Sequence, residues 1–166
     1  MIDGKKANAM VELADLMAEF ADKFGVDGLA ADQDDVYRLD ADGMPLAIAG
    51  AEDGRHFVIW AEMCPVPSEG REWLYGLLLQ AMFMGRQTSG ACFSVNGGTV
   101  YLHQVESLAD MDFERFKALL EKFVNTYSTW SSAVANFNSA LPDLTRKARE
   151  RQLESRQFEA SGFIRV

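Results

Sequence analysis

Cysteine is almost missing from this chain. Only Cys64 and Cys92 occur, with no Cys-x-x-Cys pair and just two histidines, His56 and His103. That set cannot assemble a tetrahedral zinc site or a disulfide framework, so no metal is expected and both thiols are expected reduced. Long apolar runs are missing too, and none approaches the ~20 residues of a membrane span. Glu12, Asp15 and Glu19 interrupt the region where a secretory signal needs an uncharged core. A cytoplasmic protein is the expectation. Positive charge is scarce, with 16 Lys/Arg against 25 Asp/Glu and a net charge of −9. Such a surface lacks the basic footprint that phosphates require and repels anionic lipid, so neither nucleic acid nor membrane is an expected partner.

Catalytic signatures are also lacking. There is no G-x-S-x-G, no Walker loop and no G-x-G-x-x-G, so no cofactor is implied. Counting inward from Gly97-Gly98 sets Cys92 opposite His103, which raises the idea of a nucleophilic pair, but no third orienting group is evident. Asp27, Asp32, Asp34 and Asp35 crowd one loop without the spacing or the twelfth-position Glu of a calcium loop. A solvated acidic loop is expected there.

What the chain does contain is a regular succession of patterned segments. At 166 residues with 48% apolar composition it has enough apolar residues to bury one core. Met10, Leu13, Met17, Phe20 and Phe24 recur at spacings of three and four, predicting a helix over about residues 8–24 that stops near Gly25. Three strands follow at about 35–40, 44–50 and 55–63, turned by Asp42-Gly43 and Asp53-Gly54. The third strand sets Phe57, Ile59, Ala61 and Met63 on one face, yet Val58 and Trp60 make its other face apolar as well. A helix of this chain or a partner segment should cover that second face.

Pro65 and Pro67 break the chain, and Ser68 is the expected cap of a helix over about 69–85, EGREWLYGLLLQAMFMG. Apolar residues surround this helix nearly completely, so it is either sandwiched in the core or shared between subunits, and the small size of the domain favours self-association. GACFSVNGGTVYLHQV, residues 90–105, is a hairpin turned by Asn96-Gly97-Gly98. A long helix from about Asp112 to Phe137 carries Phe113, Phe116, Leu120, Phe123, Val124, Tyr127, Trp130 and Val134 along one stripe, with Asp110 or Asp112 as its cap. Pro142 should end or interrupt it. Residues 1–141 hold ten Lys/Arg against 21 Asp/Glu, whereas 142–166 hold six against four. Residues 1–141 therefore read as a single α+β domain, and 142–166 as a mildly basic tail, helical or flexible, which in the absence of a partner would be able to cover the apolar groove.

The order α-β-β-β-α-β-β-α resembles the class I type III secretion chaperones, the Tir-chaperone family. The resemblance is carried by MPLAIAG, VIWAEM, LYGLLLQAMFMG, GACFSVNGGTVYLHQV and LADMDFERFKALLEKFVNTYSTW, and spans residues 8–136. It implies an antiparallel sheet packed with helices, in a homodimer that binds an extended segment of a secreted effector without ATP or catalysis. Carried onto this sequence, Trp73, Leu77, Leu78, Gln80, Met82 and Met84 become dimer-interface positions. Val36, Arg38, Val58, Trp60, Met17 and Phe20 become effector-binding positions. A YbjN-like regulatory or adaptor domain of similar layout is the alternative, with a small enzyme behind it.

Overall fold

The computed structural model describes residues 12–41 and 43–162. Met10 and Asp42, which the sequence assigned to the first helix and the first strand turn, lie outside the described residues. The elements run α1 (Leu13–Phe24), β1 (Val36–Ala41), β2 (Met44–Gly50), β3 (His56–Pro65), α2 (Arg71–Met82), a 3₁₀ turn (Phe83–Gly85), β4 (Cys92–Asn96), β5 (Thr99–Ser107) and α3 (Phe113–Gly162). This is the expected α+β order, and all strands pair antiparallel in one sheet of order β1-β2-β3-β5-β4.

One face of the sheet carries the core. Leu46, Ile48, Phe57, Ile59, Ala61, Val100 and Leu102 alternate along their strands and are buried. They share one cluster with Leu13, Leu16 and Met17 of α1, Leu74, Leu78 and Ala81 of α2, and Phe116, Leu120, Phe123, Trp130 and Val134 of α3. Each helix thus contributes residues at spacings of three and four, the stripe a helix needs to bury one side. Burying whole Phe, Leu and Ile side chains at about 1.5–3 kcal/mol each makes this cluster the main source of stability.

Polar contacts fix where elements start and stop. Gly25 adopts the left-handed conformation (φ 63°) that closes α1, its N–H donating to the Ala21 carbonyl. Asp112 caps α3 by accepting the Arg115 N–H at 2.8 Å. In β3 the register shifts between Glu62 and Cys64, and the Tyr127 hydroxyl donates to the Glu62 carbonyl at 2.8 Å, tying that bulge to α3. The Gly97-Gly98 turn has φ of 57° and 82°, and it pairs Asn96 with Thr99 and Cys92 with His103 as the sequence predicted.

Two expectations are corrected. Ser68 does not cap α2; the cap is Gly70, at φ 70° and with no side-chain bond. The positive φ favours glycine there, and a Cβ would also press on the Leu141 side chain, 2.7 Å from Cδ1, where α3 passes the start of α2. Pro142 does not end α3 but lies inside it. Buried Leu141 lies just before the proline, and the exposed Arg149–Glu69 ion pair (3.0 Å) lies after it. Beyond residue 142 the described tail continues as helix to Gly162, and Arg149 pairs with Glu69 just before α2.

Candidate functional site

The sheet ends in two edge strands, β1 and β4, and each overhangs an apolar hollow. Beside β1 runs a groove of about 620 Å³. Phe20, Phe24 and Val26 line it from α1 and the turn after it, Arg38–Ala41 from β1, Leu46 from β2, and Leu120 and Val124 from α3. Phe20 is half-buried and stacks on exposed Phe24 at 4.7 Å, so the wall is aromatic. Charged groups sit along the rim, namely Arg38, Asp40, Lys117 and Glu121.

Beside β4 lies a smaller hollow of about 340 Å³, lined by Tyr75, Leu78, Leu79, Met82, Phe93, Ser94 and Val95, with no charged residue among them. Leu79 (63% exposed), Phe83 (75%), Met84 (70%) and Val95 (47%) extend it into an open apolar surface. Met84 takes a positive φ of 57°, unusual for a side chain of this size, and the turn it makes leaves Phe83 and Met84 exposed. Contiguous exposed apolar residues on one side of a domain mark an interaction surface rather than a solvated one. The Phe93 N–H, which points away from β5, donates to Met82 Sδ at 3.0 Å.

On the second face of the sheet the apolar residues grade from buried Val36 and Ala47 through half-buried Val58 and Trp60 to exposed Val105. Registers align Arg38, Ala47, Trp60, His103 and Cys92 in one row, and Val36, Ala49, Val58 and Val105 in the next. Neither Val58 nor Trp60 joins the core cluster, Val105 is 56% exposed, and no helix of the described residues buries this face. Cys92 and His103 are directly opposed, yet His103 Nδ1 is buried without a hydrogen-bond partner among the described residues. Burial pushes the imidazole below its ordinary range, leaving it neutral near pH 7. Among the described residues no cluster of His, Cys, Asp and Glu could hold a metal, and no helix is long and apolar enough to cross a membrane.

The residues singled out by sequence divide among these surfaces. Phe20 lines the β1 groove and Arg38 borders it from the strand edge, while the Arg38 side chain shares its face of the sheet with Val58 and Trp60. Met17, Val36 and Leu78 are buried, Leu78 lining the β4 hollow. Met82 lines the β4 hollow, Met84 and Gln80 are exposed, and Trp73 and Leu77 are part-buried. Sequence reasoning passed over Leu79, Phe83 and Val95. The available signal was that Leu79 lies five residues from Leu74, on the side of α2 away from the buried 74-78-81 stripe.

A model of the Tir chaperone protein (CesT) family matches residues 15–131. No protein of curated function matches the sequence. The fold is similar to a chain in the crystal structure of the ExsC–ExsE complex (TM-score 0.61, 20% identity), covering 74% of this chain and 96% of that one. It is also similar to the Yersinia pestis type III secretion chaperone SycH solved with a fragment of YscM2 (TM-score 0.53, 14% identity, 69% and 95% covered). A third likeness is to the heterodimeric ExoU–SpcU complex from the type III secretion system of Pseudomonas aeruginosa (TM-score 0.53, 17% identity, 70% and 93% covered).

Proposed function

The chain belongs to the Tir chaperone protein (CesT) family, and on that premise we propose that it is a type III secretion chaperone, holding an extended segment of a secreted effector. The observation that carries this reading is the β1 edge. An edge strand offers unpaired backbone groups to another chain, and here they stand over an aromatic and aliphatic groove. An extended segment added to β1 gains backbone hydrogen bonds from the edge and places alternate side chains in the groove, so affinity and selectivity come from different atoms. Chaperone–effector complexes among the structurally similar proteins support the same reading.

The chaperone works by binding alone, in the cytoplasm, and as a homodimer. The apolar surface of Tyr75, Leu79, Met82, Phe83, Met84 and Val95 supports self-association, because obligate interfaces resemble a core cut in half. The client runs from the Phe20–Arg38 groove over the edge onto Val58 and Trp60, where the second face gives it further apolar area. Residues 1–141 are the chaperone domain, and the remainder is an appendage braced on α2 by Leu141 and Arg149. Co-expression with secreted proteins encoded beside it tests the reading. A stable complex in which a stretch of the client resists protease is the expected result; recovery of only free client and free chaperone would refute it.

A further inference from the structure

Only part of the β1 edge is open. In the β1–β2 hairpin Ala41 pairs with Met44 across a two-residue loop, so Tyr37, Leu39 and Ala41 bond to β2. Val36, Arg38 and Asp40 then turn their N–H and C=O groups outward. The Val36 rung is already filled. The Asp32 N–H donates to the Val36 carbonyl at 2.9 Å, and the Val36 N–H donates to Asp32 Oδ1 at 3.0 Å, as a paired strand would. Oδ1 also accepts the Asp34 N–H at 2.9 Å, and Oδ2 accepts Arg38 Nε at 2.9 Å. Among the described residues no hydrogen bond from outside the hairpin reaches the outward backbone groups of Arg38 or Asp40.

We propose that Asp32 is a specificity-determining register stop: an incoming strand pairs at Arg38 and Asp40, presents apolar side chains to the groove opposite Leu39 and Ala41, and ends against the Asp32 turn. This rests on the docking edge described under Proposed function and adds the position and length of the bound strand. Pairing at Val36 would break both Asp32–Val36 bonds and disturb a carboxylate with two further partners. It would return only two backbone bonds, so the exchange brings no gain. Charge-assisted bonds to a carboxylate are roughly twice as strong as neutral ones, which places the loss on the side of displacement. The consequence is a client motif defined at one end by this chain rather than by the client.

The test uses the full-length protein and synthetic peptides of alternating valine and threonine, lengthened two residues at a time from either end and followed by backbone amide NMR. In the unaltered protein, growth of the peptide over Arg38 and Asp40 strengthens binding by about fivefold per added backbone bond. Further growth toward Val36 adds nothing, and the Val36 amide exchanges equally slowly with and without peptide. Asp32→Ala opens the rung, so the same extension now strengthens binding and newly protects Val36 on binding. Asp32→Asn, which keeps an oxygen for the Val36 N–H, retains the stop. Equal length dependence in the parent and Asp32→Ala proteins overturns the register stop while leaving the docking edge intact. Loss of Val36 protection when peptide binds the unaltered protein overturns it as well. Peptides that shift neither Arg38 nor Asp40 remove the docking edge itself.

Discussion

The two edges of the sheet are built alike and dressed differently. Each overhangs a hollow between strand and helix, and each has one outward N–H held by the chain's own atoms, Val36 by Asp32 and Phe93 by Met82 Sδ. The β1 groove is larger and ringed by Arg38, Asp40, Lys117 and Glu121, whereas the β4 hollow has no charged lining and merges with exposed Leu79, Phe83 and Met84. Charges around an apolar groove select among partners and keep the edge soluble when empty. An uncharged apolar surface suits a partner that never leaves. On the proposed reading the same backbone device would serve an exchangeable client at β1 and a permanent second copy at β4.

Phe116→Ala should merge the two cases by damaging both edges together. Its ring is fully buried beside Phe57 and Phe20, so truncation costs about 3–5 kcal/mol in urea unfolding. Leu79→Asp separates them, weakening the dimer by about a hundredfold or more in sedimentation while circular dichroism stays unchanged, because an unpaired carboxylate is costly inside an apolar interface. Phe20→Asp does the reverse and lowers client affinity by about tenfold or more in calorimetry without dissociating the dimer. Trp60→Asp, on the second face, should weaken client binding only severalfold and leave folding intact. Loss of folding there would make Trp60 a core residue. The smallest effect is a response to pH. Hydrogen bonds from Val36 and Asp34, with help from Arg38, hold the Asp32 carboxyl below the usual carboxylate range. The turn's contribution is therefore complete above the ordinary aspartate range and fades as pH falls through the lowered value, releasing the Val36 amide to exchange.

Apolar periodicity made most of this fold legible. Phe113 to Val134 repeat at helical spacing and all face the core or its margin, and the Asn96-Gly97-Gly98 turn set the β4–β5 register residue by residue. Helix ends were less legible, because they depend on distant atoms. Gly70 caps α2 at φ 70° where the side chain of Leu141, 71 residues later, crowds its Cβ position, and Pro142 lies inside a helix that touches the start of α2 on both sides of it. The candidate sites were half legible. Periodicity marked α2 as apolar all round, but only the fold separates buried Leu78 from exposed Leu79. The alternation in β3 exposed the oddity of Val58 and Trp60, whereas the groove on the other face joins residues from α1, β1, β2 and α3 that no local pattern brings together. Asp32 read as one more acid in a solvated loop because its role is to bond a strand edge that forms four residues later.

Amide hydrogen exchange of Arg38, Asp40 and Val95, measured with and without a co-expressed effector, tests the assignment of the two edges most directly. The predicted result is slow exchange at Val95 in the free protein, where the proposed second copy would cover it, and fast exchange at Arg38 and Asp40 that becomes slow when the effector binds. Effector binding that leaves Arg38 and Asp40 fast, or that protects Val95 instead, would contradict it.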